Sequence, residues 1–173
     1  MIPIEPKVMV VLGVALIAVA FDLRTRRIPN WLTLGAAAAA LFYGLLAAGP
    51  GGLGQSALGW LVGALLFFPL FALRGMGAGD VKLIAALGAW LGPIQAIWLA
   101  LFASIAGGVV AIIVAVSTGY LRQAFSNVWL MLLHWRVAGP RPVPGLTLQD
   151  GRAPRLAFAV PIAIGLVCTL WQR

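Results

Sequence analysis

Six long apolar stretches divide the chain, and short breaks rich in glycine, proline or charge separate them. The stretches lie at about 8–21, 31–48, 56–73, 81–91, 94–118 and 156–171. A helix needs about 20 apolar residues to cross the hydrocarbon core of a bilayer, and most of the stretches approach that length. The pattern predicts an all-α, polytopic membrane protein with about six transmembrane helices, in a single domain that covers residues 1–173.

A further helix is predicted at 121–135, inside the longest connection between apolar stretches. Large apolar residues recur there at helical spacing, whereas polar residues fall largely on the other side. The apolar positions are Leu121, Phe125, Val128, Trp129, Leu132 and Trp135. We expect an interfacial amphipathic helix that either anchors the chain to the membrane surface or offers a docking surface to a substrate. The proline- and glycine-containing stretch 139–145 should end this helix, and His134 should be an interfacial polar residue and not a metal ligand.

The composition agrees with a membrane protein and limits the chemistry. Hydrophobic residues make up 62% of the chain and charged residues only 9%, which is too little charge to cover the surface of a soluble domain. The single cysteine, Cys168, permits neither an intrachain disulfide nor a four-cysteine zinc site, and we expect no metal and no cofactor. Because Glu5 and Lys7 cancel before the first apolar stretch, and further stretches follow, we do not expect a cleaved signal peptide.

The basic residues are distributed unevenly between the connections. The net charge of +8 could indicate a nucleic-acid partner, but ten of the twelve Lys and Arg residues lie in alternate connections, at about 22–30, 74–82 and 119–155. The two connections between these carry no charge. Because basic connections stay preferentially on the cytoplasmic side, we predict that these three loops are cytoplasmic and that both termini are periplasmic. The charge then needs no nucleic-acid partner.

Two acidic residues lie where a carboxylate is costly, at the edge of the membrane. The whole chain contains four acids, Glu5, Asp22, Asp80 and Asp150. Asp22 ends the first apolar stretch, and Asp80 lies in the glycine-rich break before the fourth. Both fall on the predicted cytoplasmic side, at one membrane depth. Packing of the first span against the fourth would bring the two carboxylates together.

A close carboxylate pair has a defined chemistry. Two carboxylates a few ångströms apart do not both ionise readily, so their pKa values separate, and one member keeps a proton while the other loses it. The ionised member can act as a general base on water, and the protonated member can donate to a carbonyl oxygen. This arrangement cleaves peptide bonds without a metal or a covalent intermediate. The glycines Gly77 and Gly79 would let the backbone adopt unusual dihedral angles and approach a substrate strand.

Simpler roles stay open for each aspartate taken alone. Asp22 could mark the polar end of the first span, beside Arg24 and Arg26. Asp80 could be a helix N-cap after a glycine turn, with Lys82 as a local partner. The occurrence of both acids on one predicted face of the membrane favours the paired interpretation.

Small residues recur at four-residue spacing within the apolar stretches. The pairs are Gly59 and Gly63, Gly88 and Gly92, and Ser104 and Gly108. Such pairs let helix backbones approach closely in lipid, so we expect tight helix packing at these positions. They indicate nothing specific about function.

Two sequence blocks carry a family resemblance. Residues 77–83 read Gly-Ala-Gly-Asp-Val-Lys-Leu, and Asp22 is followed at 27–30 by Arg-Ile-Pro-Asn. The first block resembles the Gly-x-Gly-Asp signature of intramembrane aspartyl proteases, and the two together resemble bacterial type IV prepilin peptidases. The resemblance covers about 21–92 by motif and the whole chain by its six-span layout.

The resemblance implies a function and a set of site residues. Members of this family remove the basic leader peptide of prepilins at the cytoplasmic face of the inner membrane. The implied catalytic pair is Asp22 and Asp80. The residues implied to support the catalytic loop are Gly77, Gly79, Lys82, Pro29 and Asn30.

One departure from the family pattern indicates which branch of the family this chain resembles. Larger, bifunctional members carry a cytoplasmic domain with paired zinc-binding cysteines and also N-methylate the new pilin terminus. This sequence has one cysteine, so it resembles the short, peptidase-only branch that serves Flp-type (tight-adherence) pili. We expect no N-methyltransferase activity. The segment 153–165 occupies the place of a family C-terminal block, and we assign it no catalytic residue.

The arginines near Asp22 need a separate explanation, because Arg24, Arg26 and Arg27 would repel a basic leader peptide. We hypothesise that they mainly hold anionic lipid headgroups, at about 1 kcal/mol each, or meet an acidic residue of the mature pilin. The expected partners are therefore a Flp-type prepilin and anionic lipids.

Two other classes of function are alternatives to an aspartic peptidase for this sequence. A small proton-coupled transporter could use the aspartates as proton sites, but it should show an acid near the membrane midplane or an internal repeat, and the sequence shows neither. A non-enzymatic subunit of a pilus or secretion apparatus would need neither aspartate.

Overall fold

The apolar stretches form a bundle of helices. The computed structural model describes residues 6–139, 141, 143 and 157–172, and all regular secondary structure within them is helical. The helices are α1 (Pro6–Thr25), α2 (Asn30–Ala72), α3 (Ala78–Leu91), α4 (Pro93–Ser117), α5 (Leu121–Ala138) and α6 (Ala159–Trp171). The predicted all-α fold class is confirmed.

Helix α2 consists of two limbs that fold back on each other. Ala48 (φ −142°) and Gly49 (φ 59°) are non-helical, and helical geometry resumes at Pro50. The hydroxyl of Ser56 in the second limb donates to the carbonyl oxygen of Ala40 in the first, at 3.3 Å. The predicted seven-position loop at 49–55 is therefore wrong in extent, because a glycine with positive φ reverses the chain at once and proline readily begins the next helix.

The predicted spans correspond to α1, the two limbs of α2, α3, α4 and α6. Three helices, α1, α2 and α4, are long and apolar enough to cross a membrane, and α6 is a shorter apolar helix. Helix α1 continues to Thr25, so Asp22 lies inside its last turn and not after it. The predicted amphipathic helix is α5, which ends where Gly139 adopts a φ of 76°. Most of the predicted break at 139–145, together with Arg152 and Arg155, lies outside the described residues.

Helix α3 forms the centre of the bundle. Its side chains Leu83, Ile84 and Leu87 are completely buried. It packs mainly against α2 and also contacts α1, α4 and α6. Large apolar side chains on the outer helices point outward instead, for example Leu16 (68% exposed) and Phe42 (63% exposed). An apolar exterior around a tightly packed interior is the arrangement that a lipid environment requires.

The backbones of α2 and α3 cross in direct contact at Gly59 and Gly88. A Cβ added to Gly88 would lie 2.5 Å from the carbonyl oxygen of Gly59, and a Cβ on Gly63 would lie 2.8 Å from that of Ile84. The predicted close packing is confirmed at these three glycines. The backbone of Gly92 also approaches Gly59, since a Cβ on Gly59 would lie 3.0 Å from the Gly92 carbonyl carbon, and Gly92 forms the turn into α4 with a φ of 87°. The prediction is wrong for Gly108, which has nothing within 4 Å of an added Cβ.

The crossing predicts the effect of a single methyl group. Gly59→Ala should lower the free energy of unfolding by about 1–3 kcal/mol, because the two backbones must separate. Gly35→Ala is the matched control, since Gly35 is an exposed helical glycine with nothing within 4 Å of an added Cβ. Thermal unfolding in detergent micelles measures both. Equal unfolding temperatures for the two variants would contradict the close crossing.

Candidate functional site

One end of the bundle contains a cavity that both sequence blocks line. Its volume is about 300 Å³, and it lies between the end of α1, the connection into α2 and the start of α3. The lining residues are Asp22, Arg26, Arg27, Ile28, Gly77, Ala78, Gly79 and Asp80. Two aspartates that are far apart in sequence therefore share one cavity.

Asp22 is held by the start of α6. Its side chain is 7% exposed, and its Oδ2 accepts a hydrogen bond of 3.1 Å from the backbone N–H of Ala159. Ala159 is the first residue of α6, and the N–H groups of a first helical turn have no partner within their own helix. The positive end of α6 thus points at a carboxylate, as helix N-termini do at anions. Asp22 is a buried group with a specific donor and not a solvated end of a span.

Asp80 is the third residue of α3, and its carboxylate hydrogen-bonds the backbone of Gly77. In return, the Asp80 N–H donates to the Gly77 carbonyl oxygen at 3.2 Å. The N-cap of α3 is Gly77, so the simpler interpretation of Asp80 as the N-cap is wrong; Asp80 occupies the position from which a side chain reaches back to the cap. Asp22 is close enough to Asp80 for the two carboxylates to interact electrostatically.

The two glycines of the motif matter because they have no side chain and so leave room for their neighbours, and not because they adopt unusual dihedral angles. Gly77 has an ordinary extended conformation (φ −74°), Gly79 lies within α3, and neither has a positive φ. A Cβ on Gly77 would lie 3.1 Å from Asp80 Oδ2, and a Cβ on Gly79 would lie 3.2 Å from Ile28 Cβ. The expectation of unusual dihedral angles was wrong at these positions. The glycines leave room for the Asp80 carboxylate and for the packing of Ile28.

Positive φ occurs instead at two arginines beside the site. Arg26 (φ 54°) follows the end of α1, and Arg74 (φ 58°) follows the end of α2. At the second position the Arg74 N–H donates to the oxygen of Phe71 and the Gly75 N–H to that of Leu70. This bonding pattern ends a helix sharply and is usually built on glycine. Each helix that enters the site therefore ends in a tight turn.

A hydrogen bond joins the two sequence blocks. The ammonium group of Lys82 donates to Asn30 Oδ1 at 2.9 Å, across a separation of 52 residues. Pro29 is the N-cap position of α2, and its carbonyl oxygen accepts from the N–H of Leu32 at 3.2 Å. Of the five predicted supporting residues, Gly77 and Gly79 line the cavity, whereas Pro29, Asn30 and Lys82 fix the start of α2 against α3.

The contribution of α6 was not predicted from the sequence. No catalytic residue was expected in 153–165, yet the backbone N–H of Ala159 contacts Asp22 directly. Residues 153–156 lie outside the described residues. Pro161 marks the beginning of a helix in the sequence, but a backbone donor leaves no trace in side-chain identity. Of the three arginines considered, Arg26 and Arg27 line the cavity.

Comparison with known proteins gives a consistent result. The type IV leader peptidase family matches residues 9–112, which is more than half of the 173-residue chain. A prepilin leader peptidase/N-methyltransferase of Burkholderia pseudomallei is 37% identical over 150 residues, which cover 82% of this chain and 43% of the relative. A type 4 prepilin-like proteins leader peptide-processing enzyme of Escherichia coli O78:H11 is 35% identical over 117 residues, 61% of this chain and 42% of the relative.

A third relative, the prepilin leader peptidase/N-methyltransferase of Aeromonas hydrophila, is 40% identical over 85 residues, 44% of this chain and 29% of the relative. The chain thus spans less than half the length of these curated relatives. No solved structure matches it. The family match includes both helices that carry the cavity's aspartates and the connections between them, and the chain belongs to the type IV leader peptidase family.

Proposed function

We propose that this chain is a membrane aspartic endopeptidase that removes the leader peptide of type IV prepilins. The observation that carries the proposal is the shared cavity, in which Asp22 of α1 and Asp80 of α3 interact electrostatically. The relatives reported above are leader peptidases and leader peptide-processing enzymes, which indicates leader-peptide processing as the activity. The substrate is therefore a peptide and the reaction a hydrolysis.

The aspartate pair accounts for each proton in the reaction. The ionised carboxylate takes a proton from water as the water oxygen attacks the carbonyl carbon of the scissile bond. The protonated carboxylate donates a hydrogen bond to the carbonyl oxygen, where negative charge develops. Collapse of the tetrahedral intermediate breaks the C–N bond, and the amine leaves with a proton from the pair. The proton belongs to the pair and not to a fixed member.

The backbone holds both carboxylates in place for this chemistry. The α6 N-terminus fixes Asp22 through Ala159, and the cap of α3 fixes Asp80 through Gly77. Both donors are backbone groups, so these two hydrogen bonds place no further side chain in the cavity between the carboxylates. The cavity therefore stays available to water and to a peptide. Preorganised groups of this kind need little rearrangement during the reaction.

The finer specificity is also a proposal. Because the sequence has one cysteine and hence no zinc-binding cysteine pairs, we place the chain in the peptidase-only, Flp-type branch. The activity assigned here is cleavage without methyl transfer.

We further propose that the site faces the cytoplasm of a bacterial inner membrane. The three basic connections hold ten of twelve Lys and Arg residues. The end of α1, the turn before α3 and the start of α6 meet around the two aspartates, so the basic connections converge on one end of the bundle. Basic segments on one side set orientation.

A transporter fits this arrangement less well. Both aspartates lie at one end of the bundle, whereas a proton-coupled carrier needs an acid along a path through the membrane. A non-enzymatic assembly subunit would have no use for two carboxylates in one cavity.

The catalytic pair predicts the behaviour of isosteric variants. Asp22→Asn and Asp80→Asn should each lower prepilin cleavage by about 10²–10⁴-fold, because an amide can neither accept nor share the proton. Purified enzyme in lipid vesicles and gel mobility of the prepilin measure cleavage, and the mass of the product should show no added methyl group when S-adenosylmethionine is supplied. Asp150→Asn is the control and should cleave normally. Full processing by either catalytic variant, with unchanged thermal unfolding, would refute the pair.

The proposed orientation predicts which engineered cysteines are accessible. In a Cys168→Ser background, Gln55→Cys and Gln123→Cys form a matched pair, since both glutamines are exposed and lie towards opposite ends of the bundle. A membrane-impermeant maleimide should label Gln55→Cys in intact spheroplasts and Gln123→Cys only after lysis. The reverse pattern would place the aspartates on the periplasmic side.

The Lys82–Asn30 hydrogen bond predicts an energetic coupling between the two sequence blocks. Asn30→Ala and Lys82→Met should each lower the free energy of unfolding by roughly 0.5–1.5 kcal/mol, the usual contribution of a hydrogen bond. The double variant should lose little more than either single one, since both remove one interaction. Thermal unfolding in detergent measures the cycle. Strictly additive losses would show that the two groups do not interact.

A further inference from the structure

A second cavity begins at Asp80 and has a different chemical character. Its volume is about 380 Å³, and Gly77 and Asp80 line both it and the first cavity. Its walls come from the second limb of α2, the turn before α3, the helix α4 and the residue before α6. Besides the two shared residues, they are Phe67, Leu70, Gly75, Met76, Ser104, Gly107, Gly108, Ala111 and Phe158.

This second cavity is apolar apart from Asp80. Among the described residues that line it, the other polar side chain is Ser104, and its hydroxyl donates to the carbonyl oxygen of Ala100 at 2.7 Å. The first cavity contains Arg26 and Arg27 instead. A peptide held at Asp80 thus meets charged surroundings in one direction and apolar surroundings in the other.

The shape of the apolar cavity depends on two adjacent glycines of α4. The ring of Phe158 occupies the space beside Gly107, since a Cβ there would lie 2.7 Å from Phe158 Cε2. Phe158 also packs edge-on against Phe67, with ring centroids 6.3 Å apart. Nothing lies within 4 Å of a Cβ added to Gly108. One wall is therefore closed by packed rings, and the wall at Gly108 is open.

The cavity also opens towards an exposed apolar surface of α4. Ser104, Gly108 and Ala111 form one stripe of this helix, and the neighbouring Ile105 and Val109 are 55% and 52% exposed. Because α4 is long and apolar enough to cross a membrane and the stripe lies near its middle, we expect the stripe to lie at hydrocarbon depth. A charged segment would be costly there, whereas an apolar segment embedded in the same membrane could enter from the side.

We propose that this second cavity, which forms an apolar groove beside Asp80, binds the apolar, membrane-embedded segment of the substrate next to the scissile bond. The open wall at Gly108 sets the largest side chain that the groove accepts. The inference rests on the proposed peptidase function and adds a specificity-determining position to it. The occupant is an apolar stretch of polypeptide next to the cleaved bond, since such a stretch matches the lining of this cavity.

The test of specificity uses Gly108→Leu with Gly35→Leu as the matched control. Gly35 is also an exposed helical glycine with open space around it, and it lines neither cavity. Two prepilins that differ only in the apolar residues adjoining the scissile bond, all alanine or all phenylalanine, are cleaved by each enzyme in lipid vesicles. Wild type and Gly35→Leu should cleave both. Gly108→Leu should lower kcat/KM for the phenylalanine substrate at least about tenfold more than for the alanine substrate.

An equal effect on both substrates, or none, would overturn the inference. If Gly108→Leu does not fold, Gly108→Ala should show the same preference for the alanine substrate over the phenylalanine substrate, with a smaller difference in kcat/KM. Failure of the peptidase function itself would be recognised separately, because wild type would then cleave neither substrate.

A binding measurement that does not depend on cleavage completes the test. In a Cys168→Ser, Asp22→Asn background, Ser104→Cys should form a disulfide with a cysteine in the apolar segment of the prepilin, and not with one in its polar segment. Ile113→Cys is the control on the same helix, since Ile113 is 59% exposed and does not line the groove. Equal cross-linking at the two positions, or none at Ser104→Cys, would mean that lipid and not substrate occupies the groove.

Discussion

Two carboxylates placed at the end of an apolar bundle must each obtain a hydrogen-bond donor, and the backbone supplies both. The first N–H of α6 contacts Asp22 at 3.1 Å, and the N-cap residue Gly77 hydrogen-bonds Asp80. Buried acids without donors would be costly in this environment. Since both of these donors are backbone N–H groups, they leave the space of the cavity between the acids open, and Arg26 and Arg27 also line that cavity. The position of α6 is thus part of the site and not only part of the bundle.

The centre of the bundle determines where Asp80 lies. Helix α3 is short and almost completely buried, and its backbone contacts that of α2 where Gly59 meets Gly88. A helix packed this closely has little freedom to shift along its axis. The Lys82–Asn30 hydrogen bond adds a second connection at the end that carries the site. The level of the Asp80 carboxylate therefore follows from glycine contacts well away from it.

Asp80 is the boundary between two cavities of unlike chemistry. One is lined by arginines and the other by aromatic and aliphatic side chains and glycines. The proposed peptidase function gives a reason for such a division, because an enzyme that cuts a substrate at a membrane surface has to hold a chain that is polar on one side and apolar on the other. Phe158 connects the two features: it precedes the α6 residue that contacts Asp22, and its ring forms a wall of the apolar groove. A small displacement at the start of α6 would change both the acid and the groove.

The sequence by itself determined the features that depend on local pattern. Apolar periodicity gave the helices, the distribution of Arg and Lys indicated one basic end, and the paired blocks at 22–30 and 77–83 identified the two aspartates. Only the tertiary structure decided how the aspartates are held. The Asp22–Ala159 bond spans 137 residues and the Lys82–Asn30 bond 52, and the first uses a backbone donor that no residue type encodes. Which glycine of α2 meets which glycine of α3 also depended on packing between helices, which the spacing of residues along one chain does not specify.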